Sequence, residues 1–276
     1  MVNQHTVLLL GDQRFAVQWQ WLDAAAVPGI STVAVTNENE IVVACRQAPH
    51  IRIFDSQGGL LRSFSIEGMI CPHHISIDQQ QRLWVTDLDG HQIFGVDLEG
   101  RLLQHLGAAD EPRWQAPFNH PTHAIFADDT LWVSDGYGNA CVHRFDQHLE
   151  FIDSIGEHGR GEGQFSVPHM LVHANEHLYV ADRENSRVQV FNAKDRSFAF
   201  AINRMYKPMA IAPYRDFGLL VSDQTAALLL FSLEGGLLGR CRVNAVYGHG
   251  MATDQQGCIY ISTMLPDGLA RLAPLD

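Results

Sequence analysis

The sequence has no apolar stretch that approaches the roughly 18 residues needed for a membrane-spanning helix. Its start, MVNQHTVLLLGDQRF, has no basic segment before a short apolar run, so we expect no secretory signal and a cytoplasmic location. Lysine and arginine are scarce, with 19 residues against 31 aspartates and glutamates and a formal charge of −12. Nucleic-acid binding depends on basic side chains that neutralise phosphates, so this balance argues against a nucleic-acid partner. We therefore expect neither a membrane nor a nucleic acid as a partner.

Cysteine is also sparse and unpaired in pattern. The five cysteines are odd in number, scattered and never in a CxxC pair, which argues against a disulfide framework or a cysteine zinc site. The sequence also lacks G-x-S-x-G, H-E-x-x-H, Walker and dinucleotide-binding motifs. Any chemistry must therefore come from residues that the fold brings together.

What the sequence does contain is a repeat. The stretch from Gln164 to Phe191 has a Pro-His pair, an apolar segment, a polar turn, the run Leu-Tyr-Val-Ala-Asp, and an alternating segment typical of a half-buried strand. The Leu-aromatic-Val-x-Asp signature returns at residues 83–87 and 131–135 and, shortened, at 220–223. Residues 41–43 and 259–261 are weaker copies. The Asp that ends each run, repeated from copy to copy, is interpreted as a turn residue.

Aligning the copies gives one equivalent position before the first strand of each unit, with steps of 42, 50, 46, 40 and 40 residues. A period of this length with about four short strands predicts an all-β, six-bladed β-propeller, and we expect residues 1–276 to form a single domain. The last copy lacks an outer strand, and we predict that residues 15–21 supply it and close the ring. The six equivalent positions are Ser31, His73, His123, His169, Met209 and His249.

Four of these six positions are histidines, and blade strands begin at the central channel. A single histidine is more simply explained by structural hydrogen bonding, but four that converge on one axis favour a metal site. Neutral imidazoles are common ligands of zinc, and three of them leave a position open for chemistry. The long connection at residues 106–121, which carries Trp114, is a second candidate for function.

Five segments carry a resemblance to a known family. The repeats resemble NHL repeats, and from about Pro28 to Ala270 the chain resembles the lyase domain of peptide-amidating enzymes, peptidyl-α-hydroxyglycine α-amidating lyase. The segments are Pro72-His73, Asn119-His120, residues 133–137, residues 163–169 and residues 181–185. The resemblance implies a zinc ion bound by His73, His169 and His249, an essential Tyr137, and two active-site arginines, Arg46 and Arg183.

The resemblance also implies a reaction. A carbinolamide next to a carboxylate would be split into glyoxylate and an amide, with Tyr137 removing the hydroxyl proton and an arginine holding the carboxylate. We expect a peptide or a small α-hydroxy amide such as ureidoglycolate as substrate, and a monomeric protein. The expected substrate pocket consists of Tyr247, Met209, Asn119 and His120.

Departures from the family pattern qualify these expectations. Gly250 stands where the family has a calcium-binding aspartate, so we do not expect structural calcium. Tyr247 replaces a methionine that lines the family's site. His123 replaces an acidic residue and is a candidate for a further ligand, a group supporting the ligands, or a packing residue.

One other function stays open at this stage, and a second is disfavoured by the channel residues. A non-catalytic NHL propeller would bind a protein or peptide, with the main binding energy in loops such as residues 114–118. A calcium-dependent lactonase like regucalcin would require carboxylates and asparagine at the channel positions, which Ser31, Met209 and the histidines do not supply.

Overall fold

The computed structural model describes residues 6–114, 116–244 and 247–275, and their regular elements are all β-strands. No long apolar helix that could cross a membrane occurs in these ranges. The strands form six blades, one of five strands and five of four strands, plus a two-stranded parallel pair. The all-β six-bladed propeller predicted from the repeat is confirmed.

Two strands precede the first blade, β1 (Thr6–Leu10) and β2 (Gln13–Leu22). The strands of blades 1 to 3 follow in chain order: β3 (Ile30–Val35), β4 (Ile41–Cys45), β5 (Ile51–Phe54), β6 (Leu60–Phe64); β7 (Pro72–Ile77), β8 (Leu83–Asp87), β9 (Gln92–Val96), β10 (Leu102–Gly107); β11 (His123–Ala127), β12 (Thr130–Asp135), β13 (Cys141–Asp146), β14 (Phe151–Ile155).

The parallel pair lies between blades 3 and 4 and consists of β15 (Glu157–His158) and β16 (Gln164–Phe165). The remaining blades are formed by these strands: β17 (Pro168–Ala174), β18 (His177–Asp182), β19 (Arg187–Asn192), β20 (Phe198–Ile202); β21 (Pro208–Tyr214), β22 (Gly218–Asp223), β23 (Ala227–Ser232), β24 (Leu237–Arg242); β25 (Gly248–Thr253), β26 (Ile259–Met264), β27 (Asp267–Pro274).

The first strands of the blades surround the central channel. Each contacts the first strand of the next blade, and β25 of blade 6 contacts β3 of blade 1, so the ring is closed. Burial falls from the channel to the rim: β8, β18 and β22 are buried on both faces, whereas β6, β10 and β14 are largely exposed. This gradient arises because blades stack face to face and only their outer strands meet water.

One strand differs from its predicted burial. The alternation in residues 187–191 indicated a half-buried strand, but β19 is buried on both faces, including the side chain of Gln189. The amide of Gln189 donates to the carboxylate of Asp182 and to the carbonyl of Gln164, so its polar atoms are satisfied inside the protein.

The N-terminal strands lie on the outer side of the last blade. Strand β2 pairs antiparallel with β27, with Val17 opposite Leu272, and β1 pairs with the other edge of β2. The first and last strands of the chain thus share one sheet. Phe15 and Val17 are buried in it.

The buried aspartates at the ends of the second strands connect each blade to the loop that leads into it. Asp87 accepts from the backbone N–H of Cys71, Asp135 from that of Asn119, and Asp182 from that of Ser166. Tyr206 donates to Asp223 in the same way. The repeated Asp therefore fixes a loop 16 or 17 residues upstream in addition to its local turn.

Candidate metal centre

The channel residues are set by a β-bulge at the start of the first strands. The pairing registers of β7, β17 and β25 shift near His73, His169 and His249, which inserts an extra residue there. A bulge redirects its side chain relative to the strand. The structure thus gives these three histidines the same local geometry in alternate blades.

Each of the three histidines is held by the neighbouring blade. Nδ1 of His73 donates to the carbonyl of Thr122 at 2.7 Å, Nδ1 of His169 to that of Met209 at 2.7 Å, and Nδ1 of His249 to that of Ser31 at 2.9 Å. A carbonyl can only accept, so Nδ1 carries the proton and Nε2 keeps its lone pair. This is how proteins orient imidazole ligands for a metal.

The three rings are nearly perpendicular to one another, at 80° to 86°, with centroids 4.7 to 5.1 Å apart. His74, which the sequence reasoning missed, joins them: one nitrogen from each of the four imidazoles lies within 4.8 Å of the others. The ring of His74 stacks on that of His249 at 11°. A ligated metal lies in the plane of each imidazole, and stacked rings do not share a plane, so the three crossed rings are the better ligand set.

Burial keeps these imidazoles uncharged. The pKa of His249 is lowered to about 4 by burial and then by the charges of Arg46 and Arg183. Burial, followed by neighbouring histidines, lowers the pKa values of His73 and His169 well below the ordinary value. Neutral imidazole is the form that binds a metal, so the site is prepared for a cation at neutral pH.

Tyr137 lies directly over this cluster. Its hydroxyl is 3.3 Å from Nε2 of His169 and 3.4 Å from Nε2 of His73. Arg183 donates from Nη1 to the same hydroxyl at 3.0 Å, and its guanidinium carbon lies 5.1 Å from the centre of the tyrosine ring. Glu184 accepts from Nε of Arg183 at 3.0 Å and orients the guanidinium. The residues predicted as base and arginine are thus in direct contact.

Two glycines allow the loop of Tyr137 to approach its neighbours. A Cβ on Gly136 would collide with the carbonyl oxygen of Pro168, and one on Gly138 with that of Asn119. Both neighbours are backbone atoms, which cannot rotate away. The absence of side chains on either side of Tyr137 therefore lets the loop pack between the start of blade 4 and the loop that leads into blade 3.

The other predicted site residues differ in their burial and in their contacts with the cluster. Arg46 is exposed, but its charge lowers the pKa of His73 and His249. Met209 is buried, and its carbonyl holds His169. Asn119 accepts from Nδ1 of His120 at 2.8 Å.

Tyr247 is 40% exposed and has a left-handed backbone conformation, with φ of 57°. None of the hydrogen bonds described for the site involves its side chain.

His123 lies one level below His73, His169 and His249. His123 pairs with Ser134 of β12, just as Ala210 pairs with Ser222 of β22. His123 is therefore equivalent to Ala210, whereas Met209 is the extra residue of the bulge, one position earlier. The position equivalent to His73 is therefore Thr122 and not His123, one residue away from the repeat alignment. The carbonyl of Thr122 accepts the hydrogen bond from His73. Burial lowers the pKa of His123 to about 3. Its ring lies 5.2 Å from that of His74, and it lines a cavity of about 280 Å³ at the opposite end of the channel.

Comparisons with known proteins agree with this architecture. The NHL repeat family model matches residues 165–191. The chain is 34% identical over 230 residues to the peptidyl-glycine alpha-amidating monooxygenase of Mus musculus, a match that covers 69% of this chain and 23% of that protein. It is 32% identical over 151 residues, 52% of this chain and 43% of the relative, to a probable peptidyl-alpha-hydroxyglycine alpha-amidating lyase of Caenorhabditis elegans. The chain is an NHL-repeat propeller similar to the amidating lyases.

The chain spans about a quarter of the length of the mouse relative. Other matches cover more of both chains at lower identity. The human NHL repeat-containing protein 3 is 25% identical over 276 residues, 88% of this chain and 79% of that protein. A solved structure, a gluconolactonase from Xanthomonas campestris, superposes with a TM-score of 0.73 at 16% identity, covering 96% of this chain and 91% of that one. At such identity the superposition shows the propeller fold alone.

Proposed function

We propose that this NHL-repeat propeller is a zinc-dependent lyase that cleaves an α-hydroxyglycine-type amide into an amide and glyoxylate. The arrangement of Tyr137 carries the proposal, because its hydroxyl contacts two of the three converging Nε2 atoms and accepts a hydrogen bond from Arg183. Among relatives, several are named amidating lyases or amidating monooxygenases, which supports lyase chemistry on this chain.

The donor set fits zinc. His73, His169 and His249 would hold the ion through Nε2, since each Nδ1 is already bound to a carbonyl. Three imidazoles leave a coordination position open, as in catalytic zinc sites. When bound, such an ion supplies Lewis acidity, which makes a nearby hydroxyl easier to deprotonate.

The chain's own residues account for proton transfer and substrate orientation. Tyr137 would act as general base toward the carbinol hydroxyl, and Arg183 donates a hydrogen bond to its oxygen. The carbon–oxygen double bond then forms as the carbon–nitrogen bond breaks, and the nitrogen takes up the proton that Tyr137 accepted to give the free amide. Arg46 and Arg183 are the cations available to hold the substrate carboxylate.

Metal content of the purified protein tests the site. We expect about one zinc per chain in the wild type, and its loss in His73→Ala and His169→Ala, by elemental analysis. The zinc-loaded protein should release glyoxylate from an α-hydroxyglycine amide or from ureidoglycolate. His177→Ala, which changes a histidine whose Nδ1 bonds locally to Asn175, is the matched control and should keep the metal.

A wild type that takes up no zinc would contradict the proposal. A second candidate is then a non-catalytic NHL propeller that binds a protein or peptide. The NHL relative matched over most of its own length, together with Trp114, which is 80% exposed, favours it. Such a module would bind no metal and would depend on Trp114 for partner binding.

A further inference from the structure

A groove of about 670 Å³ begins at Tyr137 and runs outward between blade 3 and the loop that leads into blade 4. Trp114, Phe151 of β14 and Glu157 of β15 line it. This volume lies within the range of sites that enclose a ligand of moderate size. The groove is therefore large enough to hold more than the reacting carbinolamide.

The position of the groove indicates which part of a substrate it would hold. Tyr137, the proposed base, contributes to both the histidine cluster and the groove. If the arginines bind the substrate carboxylate, the acyl group on the amide nitrogen is the part that must extend away from the reacting carbon. The groove adjoins the cluster at Tyr137 and provides space for that group.

The residues that line the groove determine which kind of substrate side chain it can bind. Three exposed aromatic rings contribute: Tyr137 is 40% exposed, Trp114 80% and Phe151 50%. No lysine or arginine of the described residues lines the groove, while Glu157 adds a carboxylate and His143 and His158 add imidazoles. Aromatic surfaces favour apolar and aromatic ligands, and a carboxylate disfavours acidic ones.

We propose that this groove binds the residue preceding the α-hydroxyglycine and selects a large apolar or aromatic side chain there, an inference that rests on the proposed function. A compound consisting of the carbinolamide alone leaves the groove unused. Trp114 and Phe151 then act as specificity-determining residues.

The test compares two acylated α-hydroxyglycines that differ only in the preceding residue, phenylalanine or glycine, using glyoxylate release from the zinc-loaded protein. We expect kcat/KM to be roughly tenfold higher for the phenylalanyl compound, because it removes apolar surface from water in an open groove. Trp114→Ala should remove most of that preference for the phenylalanyl compound. Phe217→Ala changes an exposed aromatic residue in the turn after β21 and should keep the ratio.

Equal kcat/KM for both compounds in the wild type would overturn the groove assignment, as would a ratio unchanged in Trp114→Ala. If neither compound reacts, the proposed function fails, and the groove is then judged by binding of N-acetyl-phenylalaninamide in a calorimetric or NMR titration. Binding that weakens in Trp114→Ala supports the groove, and no binding to the wild type removes it.

Discussion

At the scale of single residues, the contacts of Tyr137 lead to a direct prediction. Its hydroxyl can be removed without touching the Nδ1 hydrogen bonds that orient the histidines. We expect Tyr137→Phe to keep its zinc and to lose turnover by about 100-fold to 10,000-fold, the usual contribution of a general base. Paired metal analysis and glyoxylate assays on the same preparation measure both. Full turnover in the variant would exclude Tyr137 from the base role.

The glycines beside Tyr137 can be tested in the same way. A methyl group at Gly138 would collide with backbone at Asn119, so the loop must shift. We expect Gly138→Ala to lower activity by more than tenfold while leaving zinc bound, since small displacements of a catalytic group are costly. Gly236→Ala is the control, because the nearest atom to its added methyl is the hydroxyl of Ser232 at 3.3 Å. Equal activity in the two variants would show that the loop tolerates the shift.

At the scale of elements, the sequence predicted the strands better than their exact register. The Leu-aromatic-Val-x-Asp signature located the buried second strands, because an apolar run that ends at a turn residue can be recognised from the sequence alone. A bulge adds a residue without a sequence signal, so His123 was assigned to the level of His73 when Thr122 lies there. His74 was missed because in a regular strand a neighbour of His73 faces the other side.

The pairing of β2 with β27 gives a prediction for stability. Deleting residues 1–22 would remove two strands and expose the edge of β27 and the core around it. We expect the truncated chain not to fold, and Phe15→Ala, at a fully buried site, to cost about 3 to 5 kcal/mol of unfolding free energy. Thermal and denaturant melts monitored by circular dichroism measure both changes. A truncated chain that melts like the full one would show that the ring is stable without β1 and β2.

At the scale of the whole molecule, the buried histidines make the metal-free protein sensitive to acid. The pKa of His249 is about 4 in the folded state, against an ordinary value of 6.5. Below pH 6.5 the unfolded chain therefore binds protons that the folded one does not, and stability falls until the pH reaches about 4. His249 alone contributes on the order of 3 kcal/mol over that range.

We expect the unfolding free energy of the metal-free protein in urea to decrease from pH 7.5 to pH 5. His123→Asn removes one buried imidazole whose pKa is lowered to about 3, so its pH dependence should be shallower. Unchanged stability between the two pH values would mean that the unfolded and folded chains bind equal numbers of protons.

The pairing of β2 with β27 also concerns the order in which the protein is made. Strand β2 is synthesised before the strands of all six blades, and its partner β27 after the other described strands. Until β27 leaves the ribosome, one edge of β2 has no partner, and the ring cannot close. Contacts so distant in sequence slow folding, so the pairing of β2 with β27 is expected to be the slowest step of closure.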